Sequence, residues 1–433
     1  MSRPNILFIC TDQQSSHMMS CTGYPHVNTP AMDSLAERGV RFDRAYCTNP
    51  VCSPSRFSMI TGRYPSEIGQ RENGVPHLNA LPDHILSRSL GWLMREAGYE
   101  TVYGGKEHLP KSRAVDHGFD YICGDERMGL AHACADYLRQ NHDKPFLLVA
   151  HFINPHDICY MAIRAFAETD QEKRLTSRGK KELEALDQSL RLPDGMSEEE
   201  FFDSVCPPLP PNFEPQEDEP EAVRAFLAQR PFKQKAREQW TEKEWRMHRW
   251  AYRNLTEMVD AEIGVVLDAL RESGLEENTV VVFTSDHGDH DSSHRMEHKT
   301  TPYEEAARIP FIVSQPGVTP AGTVNTTHLI SNGLDFVPTC CDYAGIEPPE
   351  DLLGRSFRGI AESQAVDEWR DFLLIESEVS RAIVTQDFKY ILYDEGESRE
   401  QLIDLVDDPH ETRNAARDDG NRDTLESLRR MLP

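Results

Sequence analysis

Long apolar runs are missing from this sequence. Nowhere in its 433 residues do about 18 apolar side chains follow one another, the length a membrane span needs, so no membrane contact is expected. Positive charge is scarce too. Lys and Arg number 46 against 73 Asp and Glu, a formal charge of −27, which argues against nucleic acid because phosphate neutralisation needs clustered cations. The start, Met1-Ser2-Arg3-Pro4 followed by Asn5-Ile6-Leu7-Phe8-Ile9-Cys10, lacks the length and small-residue cleavage site of a secretory leader. A cytoplasmic protein with reduced thiols is therefore expected. The ten cysteines are scattered, several of them in apolar runs where a buried free thiol is ordinary, and no disulfide framework is expected. Internal repeats are absent, and composition is silent on oligomeric state.

What is present is a globular composition, 38 % hydrophobic and 27 % charged, and a length that allows one large α/β domain plus a smaller appendage. Apolar runs of strand length at 5–10, 101–103, 146–152, 279–284 and 310–314 alternate with candidate helices that include 29–38, 81–97, 130–140 and 245–273. Continuous Val/Ile/Leu/Phe strands separated by helices predict an α/β fold, a large, mostly parallel sheet sandwiched by helices. Functional loops in such folds lie beyond the carboxyl ends of the strands. Residues 158–244 read differently, being charged, with Pro207-Pro208-Leu209-Pro210-Pro211 and little strand pattern. They form either a surface excursion or a lid that decides specificity. After residue 362 the pattern turns to short strands at 371–375, 382–385 and 390–393 and a last helix near 424–431. A catalytic domain over 1–362 and a small antiparallel subdomain over 363–433 are expected.

Two strand ends deliver polar residues that a scaffold would not need. The first run ends in Thr11-Asp12-Gln13-Gln14 and the fourth in Ser285-Asp286-His287-Gly288-Asp289. Oxygen-rich strand tips can converge on one hard divalent cation, to which His287 would add a nitrogen. Each motif alone is equally a turn or a helix cap. Between them lies Val51-Cys52-Ser53-Pro54-Ser55-Arg56-Phe57-Ser58-Met59-Ile60-Thr61-Gly62-Arg63. Ser53 and Pro54 suit the first turn of a helix. Residue 52 then stands at the positive helix end, beside free N–H groups suited to an anion.

That segment, Cys-x-Pro-Ser-Arg followed by Thr-Gly-Arg, resembles the signature of the type I sulfatases, members of the alkaline-phosphatase-like superfamily whose cysteine is oxidised to formylglycine. Other stretches resemble the same family in the same order: Gly105-Lys106-Glu107-His108, Asn154-Pro155-His156, Glu297-His298-Lys299, Tyr303-Glu304-Glu305, Asp335-Phe336-Val337-Pro338-Thr339 and Asp404-Leu405-Val406-Asp407-Asp408-Pro409. The resemblance covers nearly the whole chain. It implies a divalent metal held by Asp12, Gln13, Asp286 and His287, calcium first, with magnesium or manganese as alternatives. Many family members carry Asp and Asn at the positions of Gln13 and His287, so the set here is closer to the choline-sulfatase and phosphonate-monoester-hydrolase branches.

The implied mechanism is covalent catalysis. The aldehyde of residue 52 hydrates to a diol, one oxygen attacks sulfur, and the second hydroxyl later expels sulfate. By the same resemblance, Arg56 and Lys106 hold the nucleophile, Lys299 and His156 bind the sulfuryl oxygens, and His108 assists the collapse. Asn73 or His77 is a candidate contact for the leaving group, although Asn73-Gly74 is equally a turn. The run Asp289-His290-Asp291-Ser292-Ser293-His294-Arg295-Met296-Glu297-His298 reads as a flexible loop that brings His294 to the substrate rim, with a second metal cluster of His294, Arg295 and His298 as the other reading. The expected partners are a maturation enzyme acting on Cys52 and a small anionic substrate, a sulfated sugar or alkyl sulfate. The expected reaction is hydrolysis of a sulfate ester, of a carbohydrate in the first instance. Alternatives are phosphonate monoesters or phosphodiesters, choline-type alkyl sulfates, or a binding protein never given its aldehyde. The charge of −27 does not forbid an anionic substrate, because salt screens a distant surface field within about 10 Å.

Overall fold

Each apolar run becomes a buried strand, and side-chain alternation divides the core between the two faces of one sheet. The computed structural model describes residues 3–73, 81–124, 127, 129–366 and 368–433. Its first ten strands are β1 (Asn5–Asp12), β2 (Val40–Phe42), β3 (Ala45–Tyr46), β4 (Glu100–Gly105), β5 (Asp120–Cys123), β6 (Phe146–Pro155), β7 (Thr279–Ser285), β8 (Phe311–Ser314), β9 (Thr323–Asn325) and β10 (Ile330–Ser331). Eight of them form a sheet in the order β5-β4-β6-β1-β7-β8-β2-β9. All its neighbours are parallel except β8, which runs against β7 and β2. Ile6 and Phe8 point into one core with Phe57, Ile60, Phe336 and Val337. Leu7 and Ile9 point into the other, with Leu130, Val259, Ile263 and Val266. Burial on both faces explains why these strands read as unbroken apolar runs. Each such side chain is worth about 1.5–3 kcal/mol relative to exposure.

The helices follow the expected segments with one break. The stretch 81–97 divides into Asp83–Leu86 and Leu90–Glu96. Between them Ser87 and Ser89 turn their hydroxyls back onto the carbonyls of Asp83 and Ile85, at 2.7 and 3.3 Å, a local bond that competes with helix continuation. The long helix Glu242–Glu272 opens on a capping box of Thr241 and Glu244. Val259, Ile263, Val266 and Leu270 recur at helical spacing, so one stripe of this helix is apolar and packs on the sheet.

Residues 158–244 are neither loose nor stranded. They carry helices Tyr160–Phe166, Asp170–Arg178, Lys180–Ser189, Glu198–Ser204, Glu221–Ala228 and Pro231–Gln239. Ile163, Leu186, Phe232 and Trp240 give this layer a core of its own against Trp245 and Tyr252 of the long helix. At the far end, β11 (Leu373–Glu376), β12 (Ser380–Val384), β13 (Phe388–Tyr393) and β14 (Glu400–Asp404) form an antiparallel sheet, followed by helix Arg422–Met431. All ten cysteines are free thiols. Among the described residues no helix is long and apolar enough to cross a membrane.

Candidate active site

Four parallel strands release their chains at the same edge of the sheet, and there the polar residues gather. β1 delivers Asp12 and Gln13, β7 delivers Asp286 and His287, β6 delivers His156, and β4 delivers Lys106. A fifth contribution comes from helix Cys52–Thr61, whose first residue is Cys52. Pro54 lies in its first turn, where a missing N–H costs nothing, and Gly62 closes it in the left-handed conformation at φ 73°. The remote Asn73 accepts the N–H of Ser53 at 2.9 Å, capping the helix start beside Cys52. His77 lies outside the described residues.

Arg56, one turn into that helix and fully buried, ties the strand ends together. Its guanidinium donates to Asp12 Oδ2 at 2.8 Å, to Asp286 Oδ2 at 2.9 Å, to the Lys106 carbonyl at 2.8 Å and to His151 Nδ1 at 2.6 Å. Lys106 Nζ sits 2.6 Å from Asp12 Oδ2. Around the thiol of Cys52 stand Lys299 Nζ at 2.9 Å, His287 Nε2 at 3.1 Å, Asp12 Oδ1 at 3.7 Å and Lys106 Nζ at 4.0 Å. Burial and Asp12 push that thiol up, yet Lys106, Lys299 and His287 outweigh them and hold it well below its ordinary value. The geometry favours an anion at residue 52.

The two carboxylates behave differently. Burial raises both, but Lys106, His156, Arg56 and Lys299 reverse this for Asp12 and hold it well below the usual carboxylate range. Burial and the charge of Asp12 leave Asp286 raised. Two carboxylates sharing a dry site in this way call for a cation. Ligand atoms of Asp12, Cys52, Asp286 and His287 all lie within 4.8 Å of one another, so the donors fit a divalent ion. Gln13 stands at the edge of this set with its amide engaged. Its oxygen accepts from Lys299 Nζ at 2.6 Å and from the thiol of Cys159 at 3.1 Å, and its nitrogen donates to Asp289 at 2.6 Å. Burial, then Lys106, pulls His156 well below its ordinary value.

Two sequence-derived residues stand elsewhere. His108 is exposed, with φ 46°, and no described contact joins it to Cys52. The sequence places His294 on a flexible rim, but it is buried and stacked on Tyr303 at 4.3 Å, with its N–H bonded to the Asn212 carbonyl at 2.7 Å. The segment 289–301 packs under the helical layer, so His294 faces a junction with that layer. In this segment Asp291, Ser292, His294, Arg295, His298 and Thr300 all take positive φ, from 46° to 114°, and the arm carries Lys299.

Some neighbours are not legible in the sequence. His151 lies inside the apolar run of β6, where one polar residue carries no signal, and it also bonds Tyr103 Oη at 2.8 Å. Asp289 holds Gln13. Lys233, from the helical layer, reaches the Lys299 carbonyl at 3.3 Å, and burial brings its ammonium down to about 7.

Comparison with known proteins agrees with this arrangement. Family models described as Sulfatase and as N-sulphoglucosamine sulphohydrolase, C-terminal, match residues 4–346 and 292–433. A Delta 4,5-hexuronate-2-O-sulfatase of Bacteroides thetaiotaomicron is 29% identical, with 99% of this chain and 88% of that protein covered. An N-acetylglucosamine-6-O-sulfatase of the same organism is 28% identical over 95% of this chain and 82% of its own. Among solved structures, a 2-O GAG sulfatase superposes with a TM-score of 0.84 at 28% identity, covering 100% of this chain and 91% of that one. With a family model spanning most of its length and relatives aligned almost end to end, this chain belongs to the sulfatase family and is a sulfuric ester hydrolase.

Proposed function

We propose that the chain hydrolyses a sulfate ester of a carbohydrate, releasing the sugar alcohol and inorganic sulfate, with residue 52 acting after maturation to formylglycine. The observation that carries this reading is the setting of Cys52. It sits at a helix N-terminus, with Lys299 at 2.9 Å, His287 at 3.1 Å and Lys106 at 4.0 Å, a pocket built to stabilise negative charge on the side chain of residue 52. Relatives whose names specify hexuronate and N-acetylglucosamine sulfates support the carbohydrate class.

Asp12, Asp286 and His287, with the side chain of residue 52, would hold a divalent cation, calcium first. When bound, that ion polarises oxygen and neutralises charge, and the hydrated aldehyde supplies the attacking oxygen. The other tasks fall to side chains of this chain. Arg56 is fixed by four hydrogen bonds and aims the carboxylates of Asp12 and Asp286. Lys106 balances Asp12. Burial lowers Lys299, but Cys52, Cys159, Asp12 and Asp286 more than restore it, so its ammonium suits the sulfuryl oxygens. His156, whose Nδ1 is buried without a hydrogen-bond partner among the described residues, is the imidazole free to exchange a proton with the leaving group.

Sulfate release by ion chromatography tests the reading. The chain, co-expressed with a maturation enzyme, is offered sulfated sugars, choline sulfate, an aryl sulfate and the matched aryl phosphonate. Release from one sugar class is the expected result. Turnover of the phosphonate with no sulfate from any ester would overturn the assignment and make Gln13 and His287 the residues to explain.

A further inference from the structure

Behind the active-site arm, four segments distant in sequence meet at a buried polar cluster. His294 comes from the arm, Glu305 from the short helix Glu304–Ala307 before β8, Asn212 from the helical layer and Glu411 from the C-terminal subdomain. Ligand atoms of His294, Glu305 and Glu411 lie within 4.8 Å of one another. Asn212 joins them, its Nδ2 standing 2.8 Å from Glu305 Oε1 and 3.5 Å from His294 Nε2.

Hydrogen bonding inside the cluster is incomplete. His294 is 1 % exposed and Asn212 is 2 % exposed, yet His294 Nδ1, Asn212 Oδ1 and Glu305 Oε2 have no partner among the described residues. Buried groups of this kind are nearly always satisfied. Charge is unbalanced as well. Lys389 serves both Glu304, at 2.7 Å, and Glu411, at 2.8 Å. Glu305 takes only the neutral donors Asn212 and Ser293, the latter at 3.0 Å, and forms no ion pair among the described residues. Stacking on Tyr303 fixes the imidazole plane of His294.

We propose that His294, Glu305 and Glu411 form a second divalent-cation site, separate from the Cys52 cluster, that fastens the active-site arm to the helical layer and the C-terminal subdomain. One imidazole and two carboxylates select a borderline ion such as zinc over calcium or magnesium. The ion would supply the missing positive charge beside Glu305.

The test counts zinc. Tag-free chain is stripped with chelator, dialysed against zinc, and its metal content measured by plasma mass spectrometry. Adding His294→Gln is expected to lower the bound zinc by about one ion per chain and to abolish the zinc-dependent rise in Tm. Because the difference between that variant and its parent is read, the result holds whatever the first site binds. Glu305→Gln gives an independent count should His294→Gln fail to fold. Equal zinc content in the parent and in whichever of these variants folds would overturn the proposal.

Discussion

Arg56 joins three strand ends through one guanidinium, so cutting it back to alanine would leave the buried Asp286 without its arginine and Asp12 with Lys106 as its remaining close ion pair. A loss of about 3–5 kcal/mol is expected, read by urea denaturation. Arg56→Lys keeps the charge but not the fork, and should recover only part of that loss. Cys52→Ser is expected to lower sulfate release by roughly 10³-fold or more in chain co-expressed with a cysteine-type maturation enzyme. Equal turnover of the two proteins would refute the aldehyde reading. His117 marks a pH window. It is buried between Ser112 Oγ at 2.7 Å and Ser89 Oγ at 2.8 Å, and burial lowers its pKa from 6.5 to about 4. The unfolded chain therefore binds a proton that the folded chain refuses. Stability is fully present above pH 6.5 and falls as pH drops toward 4, by on the order of 3 kcal/mol. His117→Asn should flatten that part of the stability curve, measured by thermal melts across the window. At this scale the site is legible wherever a polar residue breaks the pattern at a strand end, as Asp12 and Asp286 do. His151 is not, because a single imidazole inside an apolar run looks the same whether it packs or supports an arginine.

Helix Cys52–Thr61 depends on a near-contact with helix Asn332–Ala344. A Cβ on Gly333 would meet Ser58 Cβ at 2.6 Å and Thr48 Cγ2 at 2.7 Å, so Gly333→Ala must push the nucleophile helix off its seat. The expected cost is about 1–3 kcal/mol of stability, with a larger proportional loss in kcat than in KM, checked by steady-state kinetics beside a denaturation curve. Elements are readable in proportion to their burial. β1, β6 and β7, apolar on both faces, stand within a few residues of the runs that predict them. β14 escapes a sequence reading because Glu400-Gln401-Leu402-Ile403-Asp404 has only two apolar residues, and antiparallel pairing with β13 supplies the rest. The short helices of 158–244 are hidden because each buries only a narrow stripe, visible once Phe232, Trp240 and Trp245 are seen together.

For the molecule as a whole, the charge of −27 opposes the approach of an anionic sugar. Raising ionic strength from about 0.01 M to 0.15 M shortens the screening length from about 30 to 8 Å, and kcat/KM for a sulfated sugar should rise about twofold or more. A fall instead would mean that the cations of the pocket dominate the long-range field. The six left-handed residues between Asp291 and Thr300 carry a different consequence. Side chains held in that conformation store of order 1 kcal/mol or more each, and only the surrounding packing keeps them there. The arm is thus a spring held closed by its neighbours, and such units open before the rest of a protein. Heating should release Lys299 first, so that activity disappears reversibly some degrees below Tm. Amide exchange across 289–301 should then run ahead of exchange in β1 and β7.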